Sequence, residues 1–200
     1  LISERLGIPL VHTMHTMAKV KNLSLAEGEK PEPQTRAIGE EQVVGASAAL
    51  IANTAAESAS LVSLYDACPD KVFVVPPGVD LSTYKLNGGK KASRKKLNIR
   101  EDSLMLSFVG RIQPHKGPEV LIRAVAEMLK HTPVLRAKLK TVIMGGASGN
   151  GSQEPERLKA LTQFLGVDDV IEFMPPVPRD ELSDWYRASD LVCVPSYSES

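Results

Sequence analysis

Arg111 and Lys116 are the first residues whose types and spacing suggest chemistry. They stand five positions apart in Val109-Gly110-Arg111-Ile112-Gln113-Pro114-His115-Lys116-Gly117-Pro118. A guanidinium offers a planar fork of donors at any accessible pH, and an ammonium adds a compact point charge. Two such cations at a fixed spacing suit a multiply charged anion, with a diphosphate as the natural guest. By residue type alone, solvated surface charges are an equally good reading. The elements that must position the pair bear on the choice. Leu104-Met105-Leu106-Ser107-Phe108-Val109 is an apolar run ending at a glycine, the pattern of a buried strand in an open α/β sheet. Past Gly117 and Pro118, Val120, Leu121, Ala124, Val125, Met128 and Leu129 recur at helical spacing. The pair therefore falls between a strand's carboxyl end and a helix N-terminus. Open α/β sheets bind ligands at that edge, and free backbone N–H groups there favour anions.

The rest of the chain repeats the same alternation. Residues 2–7 read as the tail of a helix, 8–13 as a strand, 17–33 as a polar loop and 34–47 as a helix. Residues 48–53 follow as a strand, then a helix to about Tyr65 with Thr54 and Glu57 in capping-box spacing, then a strand over 72–75. This order implies parallel pairing with right-handed crossovers. Pro76-Pro77-Gly78-Val79-Asp80 interrupts it and marks a domain junction. The expected domains are 1–76 and 77–200. Lys90, Lys91, Arg94, Lys95 and Lys96 read as the solvated face of a short helix. Strands over 140–144, 170–174 and 191–195 alternate with helices over 154–165 and 179–188. Residues 147–153, rich in Gly, Ser and Asn, read as a flexible loop, since no G-x-x-x-x-G-K-[ST] is present. No G-x-G-x-x-G opens a strand–helix turn, which disfavours a dinucleotide-binding domain.

Composition narrows the classes further. With 24 basic against 24 acidic residues, there is no global electrostatic case for nucleic acid or an anionic membrane. No apolar run approaches the roughly 20 residues of a spanning helix. Cys68 and Cys193 fit no metal or redox spacing, which leads to the expectation of a reducing, cytoplasmic compartment. The chain opens at Leu1 rather than a methionine, and it is expected to be a fragment of a longer protein lacking both ends.

Val109-Gly110-Arg111 followed by Lys116-Gly117 resembles the G-R-x(4)-K-G signature of family 4 glycosyltransferases. The resemblance implies an α/β chain of GT-B fold, with two Rossmann-like doubly wound parallel-sheet domains, both incomplete here. It implies that Arg111 and Lys116 hold a donor's diphosphate, where pre-placed cations stabilise charge building on the leaving group. The tract Pro76-Pro77-Gly78-Val79-Asp80 is similar to that family's interdomain linker.

His12-Thr13-Met14-His15-Thr16-Met17-Ala18-Lys19-Val20-Lys21-Asn22 resembles the H-T-x-H-T-x-x-x-x-K-N segment of D-inositol-3-phosphate glycosyltransferases, which begin mycothiol synthesis. Arg36 falls where that family has a phosphate-binding arginine. On this resemblance the donor is UDP-N-acetylglucosamine and the acceptor 1D-myo-inositol 3-phosphate; the alternatives are another family 4 transferase with a UDP-glucose or GDP-mannose donor and a different acceptor, or a non-catalytic nucleotide-sugar-binding module. Thr16 and Arg36 bind the acceptor phosphate, and His15 sits near the reacting sugar. Val177 contacts the uracil, and Glu199, first glutamate of an E-x(7)-E element, faces the donor sugar. By residue type alone, His15 is a structural histidine and Glu199 a surface residue. Related members place Mg²⁺ against the positions of Tyr186, Arg187 and Ser189; no organic cofactor is implied. The expected partners are a nucleotide sugar and a phosphorylated polyol, with a homodimer as the expected assembly.

Overall fold

The protein is described from a computed structural model covering residues 2–25, 30–85, 89–147 and 153–197. It divides into two compact units, one ending at Gly78 and the other running from Val79 to Tyr197.

In the first unit, helix α1 (Ile2–Leu6) leads to a three-stranded parallel sheet of β1 (Val11–Thr13), β2 (Ala49–Ala52) and β3 (Val72–Val74), in that spatial order. Val11 lies opposite Ala49, and Leu50 opposite Val72. Helices α2 (Ala18–Leu23) and α3 (Gln34–Ala46) carry the chain from β1 to β2, and α4 (Ala55–Tyr65) carries it on to β3. Their apolar sides meet in a core of Met14, Met17, Val44, Leu50, Ala52, Leu61 and Tyr65. Helix α2 occupies ground expected to be loop. Six residues are too few for a periodic signal; burial of Met17 and Ala18 fixes the turn instead. The Thr54 hydroxyl accepts from the backbone N–H of Glu57 at 3.0 Å, as a capping box requires. The Glu57 carboxylate, however, takes the N–H of Asn53, one residue earlier than the motif predicts.

The second unit opens with α5 (Gly89–Lys96) and continues β4 (Leu104–Val109), α6 (Pro118–His131), β5 (Leu139–Met144), α7 (Glu154–Phe164), β6 (Ile171–Met174), α8 (Arg179–Ala188) and β7 (Leu191–Val192). Its strands are all parallel, in the order β6-β5-β4-β7. Alternation along the strands buries both faces. Phe108, Ile143 and Ile171 pack with Leu121, Ile122, Val125 and Leu158 on one side. Met105, Val142 and Met144 pack with Ile99, Trp185 and Ala188 on the other. In α6 the inward position is Ile122, fully buried, whereas Val120, expected to face the core, is 41% exposed.

The basic run of α5 departs most from expectation. Arg94 is only 3% exposed. Its guanidinium donates to the carbonyl oxygens of Ala188, Glu101 and Ser103 and to Asp190 at 2.6 Å. Lys96 pairs with Asp184 at 2.6 Å, and Lys90 pairs with Asp190. These charges lock α5 to α8 and to the start of β7.

Candidate functional sites

In the second unit, the chain moves from β4 through β5 to β6 on one side, then returns to place β7 on the other side of β4. The carboxyl edge between β4 and β7 is therefore the point where strand order reverses, the usual ligand crevice of open α/β sheets. Arg111 and Lys116 lie on the loop that leaves β4 there. The loop's start is fixed by backbone contact: Gly110 N–H donates to Met144 O at 3.0 Å, and Ile112 N–H to Gly146 O at 2.9 Å. A Cβ on Gly145 would stand 1.7 Å from the Gly110 carbonyl oxygen, so β5 must end in glycine for this loop to exist. A one-turn 3₁₀ helix, Pro114–Lys116, then brings Lys116 to Gly117, whose φ of 67° is left-handed and caps α6. Arg111 is exposed, with no hydrogen bond or ion pair to another described residue. In the first turn of α6, Glu119 is drawn aside by Arg123 and Arg157, at 2.7 and 2.5 Å.

The neighbouring loop leaves β7. Tyr197 N–H donates to the His115 carbonyl at 2.9 Å, so the two loops are joined by their backbones. Glu199 lies outside the described residues. Val177 follows β6 on the same edge, and its half-buried side chain packs against the core cluster that includes Met105, Val142, Met144 and Trp185.

His15 and Thr16, both exposed, follow the carboxyl end of β1 in the first unit. Across the unit, Arg36 on α3 reaches back: its Nη2 donates to Thr16 Oγ1 at 2.7 Å and to the Thr16 carbonyl at 3.3 Å. The two residues assigned to one phosphate from separate segments are thus hydrogen-bonded to each other. Two carboxylates at i−4 and i+4 grip the same guanidinium, Glu32 at 2.8 Å and Glu40 at 2.8 Å. Burial pulls the Arg36 pKa down, and the hydrogen bonds of Glu32 and Glu40 more than offset it, so the group is raised. Glu40 is itself fixed by Tyr65 Oη at 2.6 Å and by the backbone N–H of Ala18 at 2.8 Å. Glu40 lies four residues on along α3, the spacing of helical ion pairing; Glu32 lies before α3 begins at Gln34, so no helical periodicity points to it.

The side chains at Tyr186, Arg187 and Ser189 do not fit a magnesium ion. Arg187 has no acceptor atom and is committed to Asp184 at 2.7 Å and to the Lys85 carbonyl at 2.9 Å. The Ser189 hydroxyl bonds Trp185 O at 2.8 Å and Ser107 Oγ at 2.7 Å. Magnesium wants carboxylates and waters, and among the described residues no cluster of three or more His, Cys, Asp or Glu is arranged to hold a metal. No described helix is long and apolar enough to cross a membrane.

Two all-parallel α/β units, with cation-bearing loops at the carboxyl edge of one and a paired Thr and Arg at that of the other, define a GT-B fold. Solved structures agree. Sucrose-phosphate synthase from Thermosynechococcus elongatus superposes with a TM-score of 0.81 at 23% identity, over 99% of this chain and 48% of that one. Anabaena Alr3699/HepE in complex with UDP-glucose gives 0.78 at 19% identity, over 97% and 48%. The family model described as Glycosyl transferases group 1 matches residues 89–200, and that described as Glycosyltransferase Family 4 matches residues 1–83. The chain belongs to the group 1 glycosyl transferase family. It is 56% identical over 200 residues to the D-inositol 3-phosphate glycosyltransferase of Kribbella flavida, a match covering 100% of this chain and 47% of that relative. The chain spans about half the length of the curated relatives it matches.

Proposed function

We propose that the protein is a retaining glycosyltransferase moving N-acetylglucosamine from UDP-N-acetylglucosamine to 1D-myo-inositol 3-phosphate, the first step of mycothiol synthesis. The observation that carries the acceptor is the Thr16–Arg36 hydrogen bond of 2.7 Å. A hydroxyl and a guanidinium converging at one sheet edge suit a phosphate dianion, and the name of the Kribbella relative points to the same acceptor. A UDP-linked donor is supported by the likeness to Alr3699/HepE, solved with UDP-glucose.

In the proposed step, the bond from the sugar's anomeric carbon to the β-phosphate oxygen breaks. A bond from that carbon to an inositol hydroxyl oxygen forms on the same face, and the hydroxyl proton passes to the departing diphosphate. Arg111 and Lys116 lower the barrier by neutralising charge on that leaving group. Thr16 and Arg36 contribute by holding the attacking hydroxyl in place through the acceptor's phosphate.

A transfer assay on the full-length protein tests this, with inositol 3-phosphate or free inositol offered against UDP-N-acetylglucosamine, UDP-glucose and GDP-mannose. Transfer from UDP-N-acetylglucosamine to the phosphorylated acceptor is expected, with Arg36→Ala raising the acceptor KM. An unchanged acceptor KM in that variant overturns the acceptor, and UDP binding without any transfer overturns the activity.

A further inference from the structure

We infer that Asn22 is a positioning residue for the acceptor-phosphate site, acting through Glu32 on Arg36; this rests on the assignment of Thr16 and Arg36 to that phosphate. Asn22 clasps the backbone of Glu32 on both sides. Its Oδ1 accepts from the Glu32 N–H at 2.7 Å, and its Nδ2 donates to the Glu32 carbonyl at 3.4 Å. The clasp fixes the main chain of residue 32, and with it the origin of the Glu32 side chain.

That side chain is only 18% exposed and divides its two oxygens between two cations. One takes the Lys21 ammonium at 2.5 Å and the other the Arg36 Nη1 at 2.8 Å. Lys21 and Asn22 thus act together on one residue, which gives a physical role to the Lys-Asn pair closing the first motif. The Lys21 hydrogen bond holds the Glu32 carboxyl below its ordinary range against the opposing pull of burial, and Arg36 adds to that lowering.

The consequence falls on the guanidinium. Nε is pinned by Glu40 and Nη1 by Glu32, which leaves Nη2 aimed at Thr16. A planar fork held on two edges has its third edge oriented before any ligand arrives, so less side-chain freedom is lost on binding. Asn22 is the informative member of the relay because it carries no charge. Removing it leaves the charges of Lys21, Glu32 and Arg36 in place, so any change in acceptor binding reports alignment and not Coulomb attraction.

The test uses the full-length protein and steady-state transfer to 1D-myo-inositol 3-phosphate. Asn22→Ala is expected to raise the acceptor KM about five- to tenfold, the cost of immobilising one freed side chain, with kcat and the donor KM within about twofold of wild type. In an Arg36→Ala background, Asn22→Ala should add nothing further, because the two act as one unit. Should Asn22→Ala not fold, Asn22→Ser is read by the same two criteria. An unchanged acceptor KM overturns the inference, as does an equal increase with and without Arg36. Failure of the underlying assignment looks different: Arg36→Ala alone then leaves the acceptor KM unmoved.

Discussion

Gly117 and Pro195 touch without a side chain between them: a Cβ on Gly117 would stand 2.2 Å from the Pro195 carbonyl oxygen. The glycine of the Lys-Gly pair thus does two things. Its φ of 67° turns the chain into α6, and its missing side chain admits the strand end that follows β7. Together with the Tyr197–His115 hydrogen bond, this contact makes the cation-bearing loop and the loop after β7 one structure.

Gly117→Ala should therefore lose both stability and turnover. Gly166 supplies the control, since it has a φ of 64° with nothing within 4 Å of its would-be Cβ. Gly166→Ala should cost only the left-handed penalty of about 1–2 kcal/mol and leave kcat intact. Gly117→Ala pays the same penalty and must also displace the Pro195 carbonyl, so its melting temperature should fall further and its kcat should drop. Equal melting temperatures and equal kcat for the two variants would show that the contact is without consequence.

Arg111→Ala should lower kcat about 10²-fold, by more than it raises the donor KM, if the guanidinium acts chiefly on the leaving group. The geometry favours this, because the loop that carries Arg111 is fixed at both Gly110 and Ile112 by backbone hydrogen bonds to β5 and its loop. A pre-fixed donor is strongest where charge develops. A raised KM with an unchanged kcat would instead mean that the arginine binds ground and transition states alike.

The long signals in the sequence were the reliable ones. Strand β4 and helix α8 carried enough periodic or apolar residues to be read directly, and α8 spans Arg179–Ala188 as expected. Short strands were legible in place too: β1 and β3 fall within the expected strands, and β7 within the expected 191–195 although it spans only two residues. Helix α2 was not legible, because its six residues are held by neighbours distant in sequence, such as Glu40 on the backbone of Ala18. The burial of Arg94 was hidden for the same reason: its partners Ala188 and Asp190 lie more than ninety residues away. The Thr16–Arg36 pairing was reached through family resemblance, since nothing local in either segment names the other. The clasp of Asn22 on Glu32 crosses between two segments without a shared period, and no pattern in the chain announces it.

Arg94→Met should destabilise the second unit by about 3–5 kcal/mol. The methionine approximates the stem but strips donors from the carbonyls of Ala188, Glu101 and Ser103 and leaves Asp190 without its buried partner. Asp190 also accepts the Met105 N–H at 2.7 Å, so the disturbance reaches the first residues of β4. Chemical denaturation of the full-length protein measures the effect. A loss under about 1 kcal/mol, the value of an exposed pair, would mean that the burial of this guanidinium contributes little.

Asp184 gives the fold an acid-sensitive joint. Its carboxylate accepts from Lys96, Arg187 and Ser93, at 2.6, 2.7 and 2.9 Å. The Lys96 hydrogen bond, then Arg187, hold its pKa well below the ordinary 3.8, against the opposing pull of burial. Because the folded value lies below the unfolded one, the ionised group stabilises the fold fully above about pH 4, and that contribution is lost as the pH falls toward the folded value. Asp184→Asn should therefore lower the melting temperature at pH 7 and lower it less as the pH drops below about 4, the two curves converging in acid. The gap at pH 7 should be on the order of 1–3 kcal/mol, the range for a hydrogen bond to a charged group. Parallel curves from pH 7 down to pH 2 would show that the joint between α5 and α8 draws nothing from the charge on Asp184.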